Sequence, residues 1–407
     1  MAWRRNLFAV TAATFIGFTG FTLVMPFLPL YFRQLGVEDV GRAALWSGLS
    51  LGVTPALTAL LAPLWGRLAD RFGRKLMIER SLVSFVFIMT AMAYVREPWH
   101  VFALRAVQGL FAGYGTLALT MAADSAPPAR LAMAIGTVQT AQRLGPALGP
   151  VIGGILAQVV GLRRAFLFSA AFYALGLVLV AALYRETRAE AAGGRGGAAG
   201  PGPQLTFRSV LALTNFLLLM VVVFGLQFVD RSFGPILPLY LAGTGVSADR
   251  VALVSGVLFS LAAGGGAVGN YFCDRLLRRA TVRAVIGGGG AAAAVASLLF
   301  VAAPVVPVLV AAAAVFGAGV GVAMTAAYTA AGGVFPPEVR GAGFGFLSSA
   351  WLAGLAISPV VNGLLGATSI TAVFVLDAVI LVLVAVLVKR LMVERGLPKE
   401  APAIVEA

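Results

Sequence analysis

The sequence predicts an all-α integral membrane protein, with twelve transmembrane helices arranged as two pseudo-symmetric six-helix bundles. Three observations lead there. Apolar residues make up 60% of the 407-residue chain and charged residues only 11%, where a soluble domain carries about 25% charged residues. Too few charges remain to clothe a water-soluble surface. Long apolar stretches recur along the chain, and the second half repeats the first.

The stretches define the elements. A transmembrane helix needs roughly 20 mostly apolar residues. Such segments read, in order, as residues 6–32, 43–65, 76–95, 99–122, 131–157 and 165–184, then 209–241, 250–270, 282–303, 306–332, 342–365 and 370–388. Barrel strands would alternate apolar and polar residues, whereas Leu376 to Val388 is apolar on nearly every side. The first span follows Trp3, Arg4 and Arg5. It is too long for the apolar core of a signal peptide, about 7–15 residues, and is expected to be retained.

Cations set the orientation. With the N-terminus inside, Arg4, Arg5, Arg67, Arg71, Arg74, Lys75, Arg80, Arg130, Arg275, Arg278, Arg279, Lys389 and Arg390 all fall on the cytoplasmic side. Only Arg33, Arg42, Arg96, Arg163, Arg164 and Arg250 fall outside. Both termini are then cytoplasmic. The net charge of +14 is thus a topology signal. Scattered over short loops, it lacks the single basic stripe of a nucleic-acid binder. One Cys and one His exclude a disulfide scaffold and a structural zinc site. They also leave little from which to build an enzyme's nucleophile, base or metal set. No GxxxxGK[ST] phosphate loop is present, which disfavours ATP as the energy source. No cofactor or metal is expected.

The segment from Arg185 to Arg208 is rich in Gly, Ala and Pro and reads as a flexible linker. It divides the chain into a bundle at 1–184, a linker at 185–208, a second bundle at 209–390 and a tail at 391–407. The halves match at an offset of 209: Pro26, Pro29 and Tyr31 recur as Pro235, Pro238 and Tyr240, and Gly36-Val37 as Gly245-Val246. Pro127-Pro128 recurs as Pro336-Pro337, Gly145 as Gly354 and Pro150 as Pro359. Between them, Asp70-Arg71 and Arg74-Lys75 match Asp274-Arg275 and Arg278-Arg279 at an offset of 204. Two like-oriented halves around a midplane site is a transporter architecture.

Three motifs carry a resemblance. Between spans two and three stands GRLADRFGRK, holding Gly66, Asp70, Arg71, Gly73, Arg74 and Lys75. Its glycines suit a tight turn, and its carboxylate sits among cations. Span four carries Arg105-Ala106-Val107-Gln108-Gly109. Span five carries Gly136, Gly145, Gly149, Pro150, Gly153 and Gly154. There, glycines four apart permit close helix approach and the proline bends the helix. These strings resemble the loop signature, the fourth-helix arginine motif and the antiporter signature of the major facilitator superfamily. The chain is similar to its twelve-span drug:proton antiporters, most of all to bacterial multidrug exporters linked to fosfomycin and deoxycholate resistance. The resemblance implies export of small molecules in exchange for protons. Many relatives carry an acid in span one; residues 6–32 here hold none.

Ionisable groups at membrane depth are costly and mark functional sites by default. Here they are Arg105, Arg143, Asp230, Arg231 and Asp377, with Asp124 near the inner end of span four. In the family, spans one, four, seven and ten line the central cavity. Asp230 is then the membrane-depth acid on a cavity helix. It is either a proton or cation carrier, or a permanent ion pair with Arg105, Arg143 or Arg231. Asp377, on span twelve, reads as structural. Gln108, Gln139, Gln227, Tyr31, Tyr240 and Asn215 are either cavity polar groups or helix-to-helix hydrogen bonds. His100 reads as an interface residue.

The resulting expectation is a monomeric multi-pass protein of the bacterial inner membrane. It would export amphipathic or drug-like molecules by alternating access, with protons as partner. An importer or facilitator of lipids, sugars or other metabolites is the alternative. Arg74 is expected to pair with Asp124 as a cytoplasmic latch, with Asp70 at the start of span eleven near Gly341 to Phe344 and Asp274 as its counterpart. Gly149 and Gly153 are expected to meet span eight at Gly264, Gly265 and Gly266.

Overall fold

A computed structural model describes residues 2–127, 130–185, 215–334 and 340–393. The expected linker beyond Arg185, the tail beyond Val393 and the Pro128 and Pro336-Pro337 repeat positions lie outside them. Fifteen helices and no strand occur among the described residues. They are α1 (Ala2–Leu23), α2 (Leu28–Gln34), α3 (Val40–Phe72), α4 (Arg74–Met92), α5 (Pro98–Phe111), α6 (Tyr114–Ser125), α7 (Leu131–Val160) and α8 (Leu162–Leu183). Then come α9 (Phe216–Ser232), α10 (Leu237–Gly243), α11 (Val251–Leu277), α12 (Val282–Ala302), α13 (Val306–Val334), α14 (Arg340–Thr368) and α15 (Ile370–Leu391).

Nine of these helices are long and apolar enough to cross a membrane, and the bent pair α9–α10 makes a tenth. Three stretches expected as single spans are broken. Pro26 lacks the N–H that would continue α1, and Pro29 sits in the first turn of α2, where a missing N–H costs nothing. Turn bonds from Met25 to Thr22 (3.1 Å) and Leu28 to Val24 (3.0 Å) bridge the gap. Pro235 and Pro238 repeat the break, and the chain bends 45° there. Gly113, at φ +120°, interrupts the fourth stretch between α5 and α6 in a conformation that disfavours any side chain.

Residues 2–185 pack largely among themselves, as do residues 215–393. The principal contacts between the two sets are α3 against α14 and α7 against α11. Both lie at the end of the bundle remote from the linker. A Cβ on Gly48 would come within 2.8 Å of the Gly363 Cα, and one on Gly154 within 2.8 Å of the Leu253 Cα. Backbones this close need glycine, because association within a membrane rests on van der Waals packing rather than water exclusion. Toward the linker end the same faces open. Ala56 and Leu60 of α3, Ser348 and Ser349 of α14, Gln139 and Thr140 of α7 and Tyr271 of α11 are exposed, Leu60 by 73%.

The internal repeat holds at the level of individual hydrogen bonds. The Tyr31 hydroxyl donates to the Met92 carbonyl (2.6 Å), and Tyr240 donates to the Phe300 carbonyl. Asn6 brackets the Arg185 backbone, donating to its carbonyl (2.8 Å) and accepting from its N–H (3.1 Å). Asn215 does the same at Val393, at 2.7 and 2.9 Å. Lys75 donates to the Tyr184 carbonyl (2.9 Å), and Arg283 donates to the Met392 carbonyl. This corrects the sequence register. The offset of 204 aligns Lys75 with Arg279, yet α4 begins at Arg74 and α12 at Val282, an offset of 208. The second loop is four residues longer (208 − 204), so Arg283 takes the structural place of Lys75.

Candidate functional site

The loop motif straddles a helix end. Residues 66–72 belong to α3, and Gly73 alone makes the turn into α4, at φ +90°. Gly66 is therefore not a turn residue. It lies within α3, facing open space. Its expected turn function fails because α3 continues seven residues past the predicted end at 65. Arg74 is ion-paired with Asp124, joining α4 to α6, the two side chains being only partly exposed. Arg71 lies over the Phe72 ring at 5.2 Å. Asp274 pairs with Arg278 one turn on (2.7 Å), and both are well exposed. Among the described residues this is a contact within one helix end rather than across the bundle. The expected meeting of Asp70 with residues 341–344 lies outside the described side chains.

The α7 glycines face two ways. A Cβ on Gly145 would come within 2.8 Å of the Phe18 Cβ, on Gly149 within 2.7 Å of the Thr19 carbonyl, and on Gly153 within 3.1 Å of the Leu23 Cα. All three contacts are with α1. The expected contact of Gly149 and Gly153 with span eight is thus corrected: four-residue spacing puts them on one stripe, and that stripe meets α1. Gly154, one residue and about 100° farther round the helix, faces α11 instead. There a Cβ on Gly256 of α11 would lie 2.9 Å from the Pro150 carbonyl carbon. Ser260 accepts from the Val151 N–H at 3.1 Å. Gly265 and Gly266 pack instead against Ala314 and Gly317 of α13, while Gly264 faces open space. Gly136 also faces open space, in a groove of about 550 Å³ between α1 and α7, lined by Thr11, Phe15, Met133 and Thr140 among others.

The charges at depth separate into distinct environments. Arg105 on α5 is 2% exposed. Its Nη1 donates to the Gln108 side chain (2.8 Å), its backbone carbonyl accepts from Thr54 (2.8 Å), and its guanidinium lies 5.7 Å from the Phe21 ring. No carboxylate pairs with it among the described residues. Asp230 and Arg231 of α9 pair with each other at 3.1 Å. Adjacent helix positions diverge, but α9 ends at the next residue, and the pair lines a narrow cavity of about 60 Å³ with Thr22, Met25, Pro146, Pro150 and Phe259. Arg143 of α7 reaches across to α11. With the Asn270 nitrogen donating to the Gly321 carbonyl (2.7 Å) and Thr325 (2.8 Å), the Asn270 oxygen accepts from Arg143 at 2.8 Å.

The remaining polar candidates divide. Gln139 is exposed on the face of α7 that opens toward the linker end. Gln227 is buried, and its amide nitrogen has no partner among the described residues. Tyr31, Tyr240 and Asn215 tie helices together, as described above. His100 caps α5, its Nδ1 accepting from the Glu97 N–H at 3.2 Å. Asp377 is wholly buried on α15 against Ser232. Sequence reading missed Asn270, the Asn6 clamp and Ser232. Each is an ordinary small polar residue whose partner lies far away along the chain.

Comparison with known proteins follows this geometry. Residues 10–307 and 281–407 match the family described as the Major Facilitator Superfamily. A multidrug resistance protein MdtG of Proteus mirabilis is 33% identical over 265 residues, 64% of each chain. A homolog of the multi-drug resistance efflux pump PmrA from Lactococcus lactis is 32% identical over 278 residues, 67% of this chain and 66% of that one. The chain thus spans just under two thirds of the length of these relatives. Among solved structures, an inward-facing bacterial homolog of the human lysosomal transporter Spinster aligns with TM-score 0.78 at 18% identity, over 95% of this chain and 96% of that one. A D-xylose–proton symporter aligns with TM-score 0.76 at 14% identity, over 97% and 99%. These structural likenesses speak to fold alone.

Proposed function

Because the chain belongs to the Major Facilitator Superfamily, we propose that it exports small amphipathic or drug-like molecules by alternating access, in exchange for protons. One observation carries the reading. The α3–α14 and α7–α11 seams are closed backbone to backbone at one end, and the same faces are exposed at the other. Two bodies that touch at one end and part at the other are arranged to rock about a site between them. With the basic loops on the cytoplasmic side, the open end faces inward. The twelve-span count follows if α4 and the broken α5–α6 also cross, and two six-helix bundles then do the rocking.

Support for export comes from the names of the relatives, both multidrug resistance or efflux proteins; the way α7 is used supports the rocking. One face of α7 is welded to α1 and the adjacent face forms the seam with α11, so movement of α1 is transmitted directly to the gate. The Asp230–Arg231 pair, with Met25, Phe259 and Phe316 beside it, gives the cavity between the halves a charged and an apolar side, suited to a molecule that is greasy at one end and polar at the other. Asp230, paired with Arg231, is the carboxylate beside the cavity. The Arg74–Asp124 pair steadies the cytoplasmic loop during rocking.

The test is transport by purified protein in liposomes. Ethidium should accumulate against its gradient when a pH gradient is imposed, and a protonophore should collapse that accumulation. Ethidium movement indifferent to the pH gradient would overturn the proton-coupled reading.

A further inference from the structure

Asp377 is the eighth residue of α15 and is 0% exposed. Its Oδ2 lies 2.5 Å from the Ser232 hydroxyl at the end of α9, and its Oδ1 has no partner among the described residues. The Ser232 hydroxyl also lies 2.9 Å from the Val229 carbonyl. A serine hydroxyl has one proton to give, and a carbonyl can only accept. Both contacts call on that one Ser232 proton; a proton on Asp377 lets the carboxyl donate to Ser232 while Ser232 donates to Val229. The arrangement that satisfies every atom in this chain of contacts is a neutral carboxylic acid, donating through Ser232 to Val229.

The surroundings agree. An ionised carboxylate buried without a cation is strongly disfavoured. Charged residues on the helices packed against α15 are Asp230 and Arg231 on α9, Arg283 on α12 and Arg340 on α14. Asp230 and Arg231 pair with each other, and Arg283 reaches the Met392 carbonyl at the other end of α15. The Arg340 side chain lies outside the described residues. On α15 itself, Lys389 and Arg390 stand at least 12 residues on, about 18 Å along the helix.

The repeat supplies an internal control. At the offset of 208, Asp377 takes the place of Ser169 in the first half. Ser169 donates its hydroxyl proton to the Gly20 carbonyl of α1 at 2.7 Å. A neutral acid at 377 performs the same task, giving a proton toward the first helix of its own half. An ionised one cannot. The second half therefore carries a titratable donor where the first half has a fixed one.

We propose that Asp377 is a proton-binding site of the transport cycle, a neutral acid that ties α15 to the end of α9 in this conformation. Ser232 directly follows the Asp230–Arg231 pair and precedes the 45° bend. A substrate entering beside that pair displaces the end of α9. Asp377 then loses Ser232, meets water and ionises, and its proton leaves to the open side. Protonation from the opposite side restores the contact. The cycle rests on the export reading above; the proton on Asp377 does not.

Infrared difference spectroscopy on purified protein, without substrate, tests the proton directly. A protonated-carboxyl band should be present at neutral pH, vanish in Asp377→Asn and persist in Asp230→Asn. It should shift in Ser232→Ala, a variant that keeps the acid if Asp377→Asn fails to fold. Alkaline titration should remove the band reversibly, and adding ethidium should release about one proton per chain in wild type and none in Asp377→Asn. Absence of the band, its survival in Asp377→Asn, or a band unmoved by both alkali and ethidium would overturn the proposal. A responsive band in a protein that transports no ethidium in liposomes would overturn the export reading and leave the proton site standing.

Discussion

Gly154 faces the backbone of Ala252 so closely that a Cβ would lie 2.6 Å from its carbonyl oxygen. No side chain fits without parting α7 from α11 at the closed end. The neighbouring Gly153 is just as constrained, but against Leu23 of α1. Two adjacent glycines therefore separate two properties, gating and stability.

Gly154→Leu should part the closed α7–α11 seam and shift the population away from this conformation. Overpacking costs about 1–3 kcal/mol, enough for a change of about fivefold to a hundredfold. Spin labels on the exposed Glu38 and Ser247 report the outer separation directly, and their mean distance should lengthen. Gly153→Leu should instead lower the melting temperature with little change in that distance. Equal effects from both variants would refute the division.

Asn215→Ala removes two hydrogen bonds to the Val393 backbone. The loss should be about 1–3 kcal/mol, felt locally because the freed backbone groups lie at a helix end. Hydrogen exchange should speed up around 390–393 and stay unchanged in α11. Asn6→Ala should do the same near 183–185, as the repeat requires.

The Arg74–Asp124 pair is partly exposed, so its static contribution is small, about 1 kcal/mol or less in a double-mutant cycle. Asp124→Asn should leave the melting temperature nearly unchanged yet cut ethidium export. The exchanged pair, Arg74→Asp with Asp124→Arg, should restore part of the export. A cycle showing several kcal/mol of coupling would make the pair a structural pin instead.

Arg105 is buried and has no carboxylate partner among the described residues. A cation kept there at the cost of desolvation points to function over stability. Arg105→Met should hold or raise the melting temperature while reducing export at least about tenfold. A sharp fall in melting temperature alongside lost transport would make Arg105 a structural residue.

Much of this protein is legible in one dimension. Membrane insertion depends on apolar length, so the all-helical membrane class and most of the long helices follow from composition and run length. The repeat follows from the constant offset of Pro26, Pro29 and Tyr31, which the paired Tyr31 and Tyr240 hydrogen bonds bear out. The pairing of Arg74 with Asp124 was also within reach, because loop motifs place charges at known helix ends. What the tertiary structure alone decided was direction and partnership. A helix has 100° between neighbours, so whether Gly153 or Gly154 meets the other half turns on a rotation that spacing leaves open. Whether Asp230 pairs with its neighbour Arg231 or with Arg105 or Arg143 on other helices was likewise left open by spacing, and the pair is with Arg231. Asp377 reads in sequence as a stray acid on a peripheral span. Only when α15 packs on α9 does it find Ser232, 145 residues away along the chain, and the single proton that the contact requires.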